Sequence, residues 1–405
     1  MNTSSLTTIT GGITAPKGFL AAGVSAGIKK QKKDISIIFS QVSANTAAVF
    51  TKNKAAAACI TTNKEQLKKT KKISAIVINS GNANACTGKR GILDTKTMIK
   101  TTANALGIPH YKVLVASTGV IGQFLPMDKI VFGIRDASKR LHEQCNIDAA
   151  EGICTTDTYI KECAVEFLLG EKTVRIGGMA KGSGMIAPNM ATMLAFITTD
   201  INIPQPLLEK TFKKITDTTF NRITVDGETS TNDMAVILAN GKANNTALIQ
   251  DSANYKIFYE ALEYVLTTLS KMIVKDGEGA TKFVEVTVKN ALNISDAEKA
   301  CKGICNSPLV KTAIHGEDAN WGRIIAALGN ADIDFNPETT EIHFGNLKIL
   351  GENYDISFSE EEAKKILQQK EITITIDLHK GKSSATFWTC DLSKNYIHIN
   401  ASYRS

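Results

Sequence analysis

One plan, used twice, narrows the fold more than any other feature of the chain. "ISAIVINSGNANACTG" (73–88) and "YKVLVASTGVIG" (111–122) each run an apolar stretch into a loop of small residues and glycine. Apolar runs of that length, bounded by turn residues, are buried strands. Helical stretches lie between and after them. "DTKTMIKTTANALG" (94–107) closes on Gly107 as a C-terminal stop, and "MDKIVFGIRDASKRLHEQ" (127–144) follows the second loop. Strands alternating with helices predict an α/β or α+β layered fold.

The rest of the chain extends this pattern. "DISIIFSQVSANTAAVFTKN" (34–53) reads as two strands around a polar turn, and "LLEKTFKKITDTTFNRITVDGETSTNDMAVILAN" (207–240) as a helix followed by strands. The clearest helix is "YKIFYEALEYVLTTLSKMIVKDGEG" (255–279). There Tyr255, Phe258, Leu262, Val265, Leu269 and Met272 recur at three- and four-residue steps, with Gly277 as a stop. "KFVEVTVKNA" alternates as a strand and opens a last unit. That unit holds the helix "SEEEAKKILQQ", begun by Ser359, and the strands "EITITIDL" and "SATFWTCDL". A length of 405 residues suggests two to three domains.

Charge and cysteine use exclude several function classes. The net charge of +7 is spread out, and the dense runs "KKQKKD" and "KEQLKKTKK" lack aromatic or Arg-Gly interleaving. They read as solvated faces, not nucleic-acid patches. The surplus favours small anionic substrates. The N-terminus has no secretory pattern, and no apolar run approaches the roughly twenty residues of a membrane span. The eight cysteines include no C-x-x-C pair, and Cys301 and Cys305 lie four apart, on one helix face. Free thiols in a reducing cytoplasm are expected. The histidines form no metal-spaced pair, so no metal is expected.

The chemistry is expected at "GMAKGSGMIAPNMATMLAFITTD" (178–200), where a glycine-rich loop bearing Lys181 runs through "PNMA" into Thr192 and then an apolar strand. A threonine hydroxyl attacks only when a base activates it. No histidine lies within thirty residues of Thr192 on either side. The other economical base is the threonine's own α-amine, freed by cutting the preceding peptide; its reference pKa is about 7.7–8.0. A small preceding residue, Ala191, and the turn former "APN" suit that route. Taken alone, Thr192 is a strand-start threonine. The loop "STG" could present the Gly119 amide and the Thr118 hydroxyl to a tetrahedral intermediate as an oxyanion hole. "AKGSG" lacks the G-x-x-x-x-G-K-[ST] spacing of a nucleotide-phosphate loop. "CTTDT" (154–158) and "DGETSTND" (226–233) are capped turns or the lining of a polar pocket. Glu278 is a loop acid or a partner for a substrate ammonium, and His315 is expected to be packed or solvent-facing.

Together these segments resemble the glutamate N-acetyltransferase/ornithine acetyltransferase family of arginine biosynthesis. The matching stretches are "GGMAKGSGMIAPNMATMLAFITTD", "VINSGNANACTG", "VASTGVIG", "TTDT", "VDGETSTND", "DGEGATKF", "NSPLVKTAIHGEDANWGR" and "YIHINASYRS", which span nearly the whole chain. The resemblance implies self-cleavage between Ala191 and Thr192 into an α and a β chain that stay together. Thr192 would take an acetyl group from N-acetyl-ornithine and pass it to glutamate in a ping-pong cycle, with acetyl-CoA as a further possible donor and no cofactor. Thr118 and Gly119 match the family's oxyanion hole; Thr155, Lys181, Thr192, Glu278, Asn400 and Ser405 match its substrate-binding positions. Serine replaces the more usual threonine at Ser405, and His315 stands where a bulky apolar residue is more usual. The implied fold is a layered α/β sandwich of the kind shared with self-cleaving aminopeptidases. Residues 1–191 would form the α chain, 192–281 would complete the main domain, and 282–405 would form a second domain with its tail returning to the active site. The implied assembly is an (αβ)2 heterotetramer without nucleic acid or membrane. A hydrolase on the same scaffold, an aminopeptidase or amidase, is the alternative, and a non-catalytic binding protein is a third reading.

Overall fold

The structure is a computed structural model, and it describes residues 6–187 and 193–402. The chain divides into two compact units. The first holds the chain up to Gly182, the segment that ends at Asn221, and Thr229–Ile273. The second holds the segment that begins at Ser183, Arg222–Glu228, and the chain from Val274 onward.

The first unit is built on one mixed sheet. Its strands are β1 (Thr7–Ile9), β2 (Phe19–Val24), β3 (Ile35–Phe50), β4 (Lys72–Asn82), β5 (Val113–Val120), β6 (Lys161–Leu169), β7 (Lys172–Lys181), β8 (Leu194–Thr199) and β9 (Met234–Ala239). The order is β1-β6-β7-β8-β9-β3-β4-β5, with β2 also on β3. The pairs β4/β5 and β8/β9 are parallel and the others antiparallel. The doubled strand-and-loop plan of the sequence is thus the β4/β5 pair. Both strands are buried on both faces, which is why they read as continuous apolar runs rather than alternating ones.

One expectation is corrected here. Residues 34–53 do not form two strands around a turn but the single long strand β3. The polar "SQVS" is absorbed by a register shift against β4 between Phe39 and Ala44. The first half of β3 pairs with β2 and β4 and the second half with β9, so one strand serves two sets of neighbours. The segment after residue 207 likewise yields one strand, β9, where several were expected.

Six helices accompany the sheet: α1 (Ala58–Lys69), α2 (Gly88–Leu106), α3 (Met127–Lys139), α4 (Asn146–Ile153), α5 (Gln205–Thr218) and α6 (Ala253–Lys275). Gly107 ends α2 in a left-handed conformation, as its position predicts. On α6 the periodic residues Phe258, Leu262, Val265 and Leu269 are fully buried. Each such side chain contributes roughly 1.5–3 kcal/mol on burial, so the amphipathic pattern docks this helix.

The second unit has a five-stranded sheet, β10 (Phe283–Ala291), β11 (Glu341–Phe344), β12 (Leu347–Leu350), β13 (Glu371–Asp377) and β14 (Ser383–Cys390), in the order β12-β11-β13-β10-β14. Its helices are α7 (Ile294–Asn306), α8 (Pro308–His315), α9 (Trp321–Gly329), α10 (Glu360–Leu367) and α11 (Lys394–Ala401). Helix α7 packs on β10 and β14 and buries both Cys301 and Cys305. Ser359 caps α10 by accepting a hydrogen bond from the Glu362 amide. All eight cysteines are free, and no helix among the described residues is long and apolar enough to cross a membrane.

Candidate active site

Four strands of the first unit end in register at one place. Lys181 of β7 pairs with Leu194 of β8, Leu194 with Met234 of β9, and Met234 with Phe50 of β3. The next residue along each strand therefore falls in one row: Gly182, Met193, Asp233 and Thr51. The row is stitched by the Met193 amide donating to Asp233 Oδ1 at 3.1 Å and the Thr51 amide donating to the Asp233 carbonyl at 3.0 Å. Ala191 and Thr192 lie outside the described residues. Met193, bonded to Thr192, is the first described residue beyond them.

Lys181 is buried at the end of β7, and its charge has a partner in the same unit. Its Nζ lies 3.9 Å from Asp157 Oδ2, an ion-pair distance too long for a hydrogen bond. Asp157 is itself fully buried. It accepts from Lys161 Nζ at 2.7 Å, from the Gly182 amide at 2.8 Å and from the Thr155 amide at 2.9 Å. Burial alone would raise the Asp157 carboxyl, but Lys181 and Lys161 outweigh it and hold the group well below the usual carboxylate range. The carboxylate thus balances Lys181 without occupying its hydrogens, and an ammonium so placed can take a substrate carboxylate. Lys29, far away in sequence, also reaches the "CTTDT" loop, donating to the Cys154 carbonyl at 2.7 Å. Burial lowers its ammonium to about 8, against the pull of Cys154 and Asp34. The head of the "KKQKKD" run is thus partly enclosed, not a simple solvated face.

Thr118 and Gly119, expected in a loop, instead lie within the end of β5, where Gly119 pairs with Gly81 of β4. Gly119 has φ +133°, and a Cβ there would stand 2.3 Å from the Gly81 carbonyl carbon. Only glycine allows both the conformation and the approach. Asn232, next to Asp233, donates to the Ala83 carbonyl at 2.6 Å and to the Ser117 carbonyl at 2.8 Å. Two hydrogen bonds therefore tie the Met193–Asp233 row to both small-residue segments, with Thr118 adjoining one anchor. A Gly119→Ala chain is expected to lose at least about 1–3 kcal/mol from the forced backbone alone, with more from the clash. Its thermal melting temperature measures this, and an unchanged value would refute the close-approach argument.

The second unit carries the remaining described site residues. Glu278 is buried, and a Cβ on Gly184 would meet its carboxylate at 2.3 Å, so the glycine leaves it room. Asn400 Nδ2 donates to Glu278 Oε2 at 2.9 Å, and the Glu278 amide donates to the Ser183 carbonyl at 3.0 Å. The C-terminal helix α11 thus meets the acid that follows α6, although Asn400 and Glu278 lie 122 residues apart in sequence. Asp226 gathers the Met185 and Ile186 amides at 2.6 and 2.8 Å. Burial raises its carboxyl, against those amides and with the Glu278 charge. Ser405 lies outside the described residues. His315, expected to be packed or solvent-facing, is part-exposed and also has a partner: its Nδ1 is 2.7 Å from Asp391 Oδ2. The Asp391 carboxyl, raised by burial, is brought below its ordinary value by Thr281, His315 and the Lys282 amide.

Sequence reading placed Thr118, Gly119, Thr155, Lys181, Glu278 and Asn400 at these points but passed over Asp157, Lys161, Asn232 and Asp233. Asp157 and Asp233 stand inside "CTTDT" and "DGETSTND", so the signal was the density of hydroxyls and acids. Lys161 opens β6 and is wholly buried, a state no sequence pattern announces.

Comparison with known proteins now places the chain. The model of the ArgJ family matches residues 20–405. The chain belongs to the ArgJ family. The arginine biosynthesis bifunctional protein ArgJ of Caldanaerobacter subterraneus subsp. tengcongensis is 50% identical over 399 residues, covering 98% of this chain and 99% of that one. The protein of the same name from Symbiobacterium thermophilum is 48% identical over 402 residues, covering 98% and 99%. A crystal structure of ArgJ from Bacillus halodurans is similar at a TM-score of 0.50 and 46% identity, covering 51% of this chain and 98% of that one. The layered α/β fold is that of ArgJ.

Proposed function

We propose that the chain transfers an acetyl group from N2-acetyl-L-ornithine to L-glutamate through an acetyl-Thr192 intermediate. It is an enzyme of arginine biosynthesis, a glutamate N-acetyltransferase, like the ArgJ relatives at 46–50% identity. The observation that carries the finer reading is the row at the ends of β7, β8 and β9. It sets the residue after Thr192 against Asp233 and ties it through Asn232 to the carbonyls of Ala83 and of Ser117, which precedes Thr118 and Gly119 on β5.

The cycle runs as follows. Thr192 Oγ attacks its preceding carbonyl, the Ala191–Thr192 bond breaks, and water hydrolyses the resulting ester. The freed α-amine is then the base for the same hydroxyl. The hydroxyl attacks the acetyl carbonyl of N-acetyl-ornithine, and the proton it gives up leaves with ornithine's amine. Glutamate's amine attacks the acetyl-enzyme and restores the hydroxyl. The Gly119 amide and the Thr118 hydroxyl take the oxyanion in each half-reaction. Lys181 in the first unit takes a substrate carboxylate, with Thr155 beside it. Glu278, Asn400 and Ser405 in the second serve the amino group and the amino-acid backbone. The solved relative's chain, matched over 98% of its length, answers to 51% of this one, which supports a protein made of two pieces. Acetyl-CoA as a second donor, the cytoplasm as the site of the reaction, and an (αβ)2 assembly belong to the same reading.

The test is an assay of N-acetyl-ornithine with and without glutamate. N-acetylglutamate should form in step with ornithine, and acetate release should stay minor. Acetate release unchanged by glutamate would overturn acetyl transfer in favour of an amidase. Replacing N-acetyl-ornithine with acetyl-CoA in that assay decides the second donor.

A further inference from the structure

The connection between β2 and β3, residues 25–34, has no part in the cycle above, yet it is built as a fixed arm. Asp34 is fully buried and organises it. Its Oδ1 accepts from the Ala26 amide at 2.6 Å, and its Oδ2 from the Ile28 and Lys29 amides at 2.6 and 3.0 Å. Its carbonyl accepts from the Ser80 amide of β4 at 2.9 Å. Lys33, near the other end of the arm, pairs with Asp148 and Glu151 of α4. Three amides on one buried carboxylate fix the backbone from which Lys29 departs.

Lys29 crosses the end of β4. A Cβ on Gly81 would stand 2.9 Å from Lys29 Cγ and 3.1 Å from Ile28 Cγ2, and Gly81 has φ +97°. Glycine at that position lets the lysine stem lie directly on the strand. Gly81 pairs in turn with Gly119, the oxyanion donor of the proposed cycle. The other end of the side chain reaches the C-terminus of α4, where Nζ donates to the Cys154 carbonyl at 2.7 Å. Cys154 is the C-cap of that helix, a place where a cation meets the last carbonyls favourably. Thr155 follows directly, with its amide on Asp157 at 2.9 Å. One side chain therefore spans from the Gly81–Gly119 pair to the loop that carries Thr155 and Asp157.

We propose that Lys29 is a positioning residue for acetyl transfer: it sets the separation between the Gly119 amide and the Thr155 loop, so that a bound acetyl-amino acid meets both at once. This rests on the roles given above to Gly119 and Thr155. Lys29 acts through the Cys154 carbonyl and through Gly81, not on the substrate itself. Such a strut is felt in kcat, because a misplacement of about 1 Å at the reacting groups costs on the order of 10²-fold.

Lys29→Met and Lys29→Arg test this in the full-length chain. Methionine keeps an apolar stem over Gly81 and removes the donor, whereas arginine keeps both. Lys29→Met should be cut as the wild type is and melt within about four degrees of it, the scale of one lost hydrogen bond. Its kcat should fall about 10–100-fold, with the KM for N-acetyl-ornithine changed less than about threefold, and Lys29→Arg should recover kcat to within about fivefold of wild type. Adding Lys29→Met to Thr155→Ala should slow that variant by no more than about threefold, because one loop carries both effects. Wild-type kcat in Lys29→Met overturns the inference. So does a rise in KM at unchanged kcat, which marks direct contact with the substrate, and so do losses that multiply in the double variant. An arginine chain as slow as the methionine chain, a chain left uncut where the wild type is cut, or a larger fall in melting temperature also overturns it. Wild-type transfer by Thr155→Ala would instead sink the site reading on which the inference rests.

Discussion

A Thr192→Ala chain is expected to run as one band on a denaturing gel and to lose acetyl transfer by on the order of 10⁶-fold, the scale for removing a covalent nucleophile. The wild type should give two bands, the second beginning at Thr192 by N-terminal sequencing. In the proposed cycle both losses come from one atom, because the hydroxyl that cuts the chain is the one that later carries acetyl. Thr192→Ser keeps a hydroxyl, so it should be cut and should retain measurable transfer. On that proposal the base in the second role is the new α-amine. Transfer by the wild type should therefore rise with pH through about 8, the range of an α-amino group. An alanine chain that is still cut shows that another group performs the cleavage. An alanine chain that is uncut but fully active removes Thr192 from the reaction.

The proposed nucleophile carried local cues (a small residue before it, a turn former, an apolar strand after it and no histidine near it), but taken alone these read as a strand-start threonine, and the family resemblance singled Thr192 out. Thr118 and Gly119 were singled out as a loop, but "STG" stays inside β5, because pairing with β4 keeps it extended. The long β3 was not legible. Its polar "SQVS" imitates a turn, and only pairing with neighbours far along the chain keeps it extended. Asn232 and Asp233 were hidden for the same cause. Their partners, Ala83, Ser117 and Met193, lie 40 to 149 residues away in sequence, and register, not spacing, brings them together. His315 was underestimated because its partner Asp391 is 76 residues on. Self-contained turns are written locally, whereas the groups that hold the site are written in the sheet.

The buried charges beside the substrate residues should show this dependence most strongly. Asp157→Ala leaves the ammonium of Lys161, whose side chain is fully buried, and that of Lys181, which is 4% exposed, without their shared carboxylate. Breaking a buried ion pair from one side costs about 3–5 kcal/mol, because the remaining charge is stranded away from water. At the size of this unit that corresponds to roughly 6–20 °C of melting temperature. The sign of the acid dependence follows from the lowered Asp157 carboxyl. Its folded value lies below the unfolded one of about 3.9, so it stabilises the native state above that pH and the contribution is lost as pH falls below it. Denaturant midpoints should therefore drop less steeply with acid in Asp157→Ala than in wild type. Adding Lys161→Met to the variant removes one stranded charge and should recover part of the loss. A cost below about 1 kcal/mol for the single variant would mean that water reaches these ammonium groups. The functional consequence follows from Lys181. With its counter-charge gone and the Thr155 and Gly182 amides released, the KM for N-acetyl-ornithine should rise more than kcat falls, as for a group that binds ground and transition states alike.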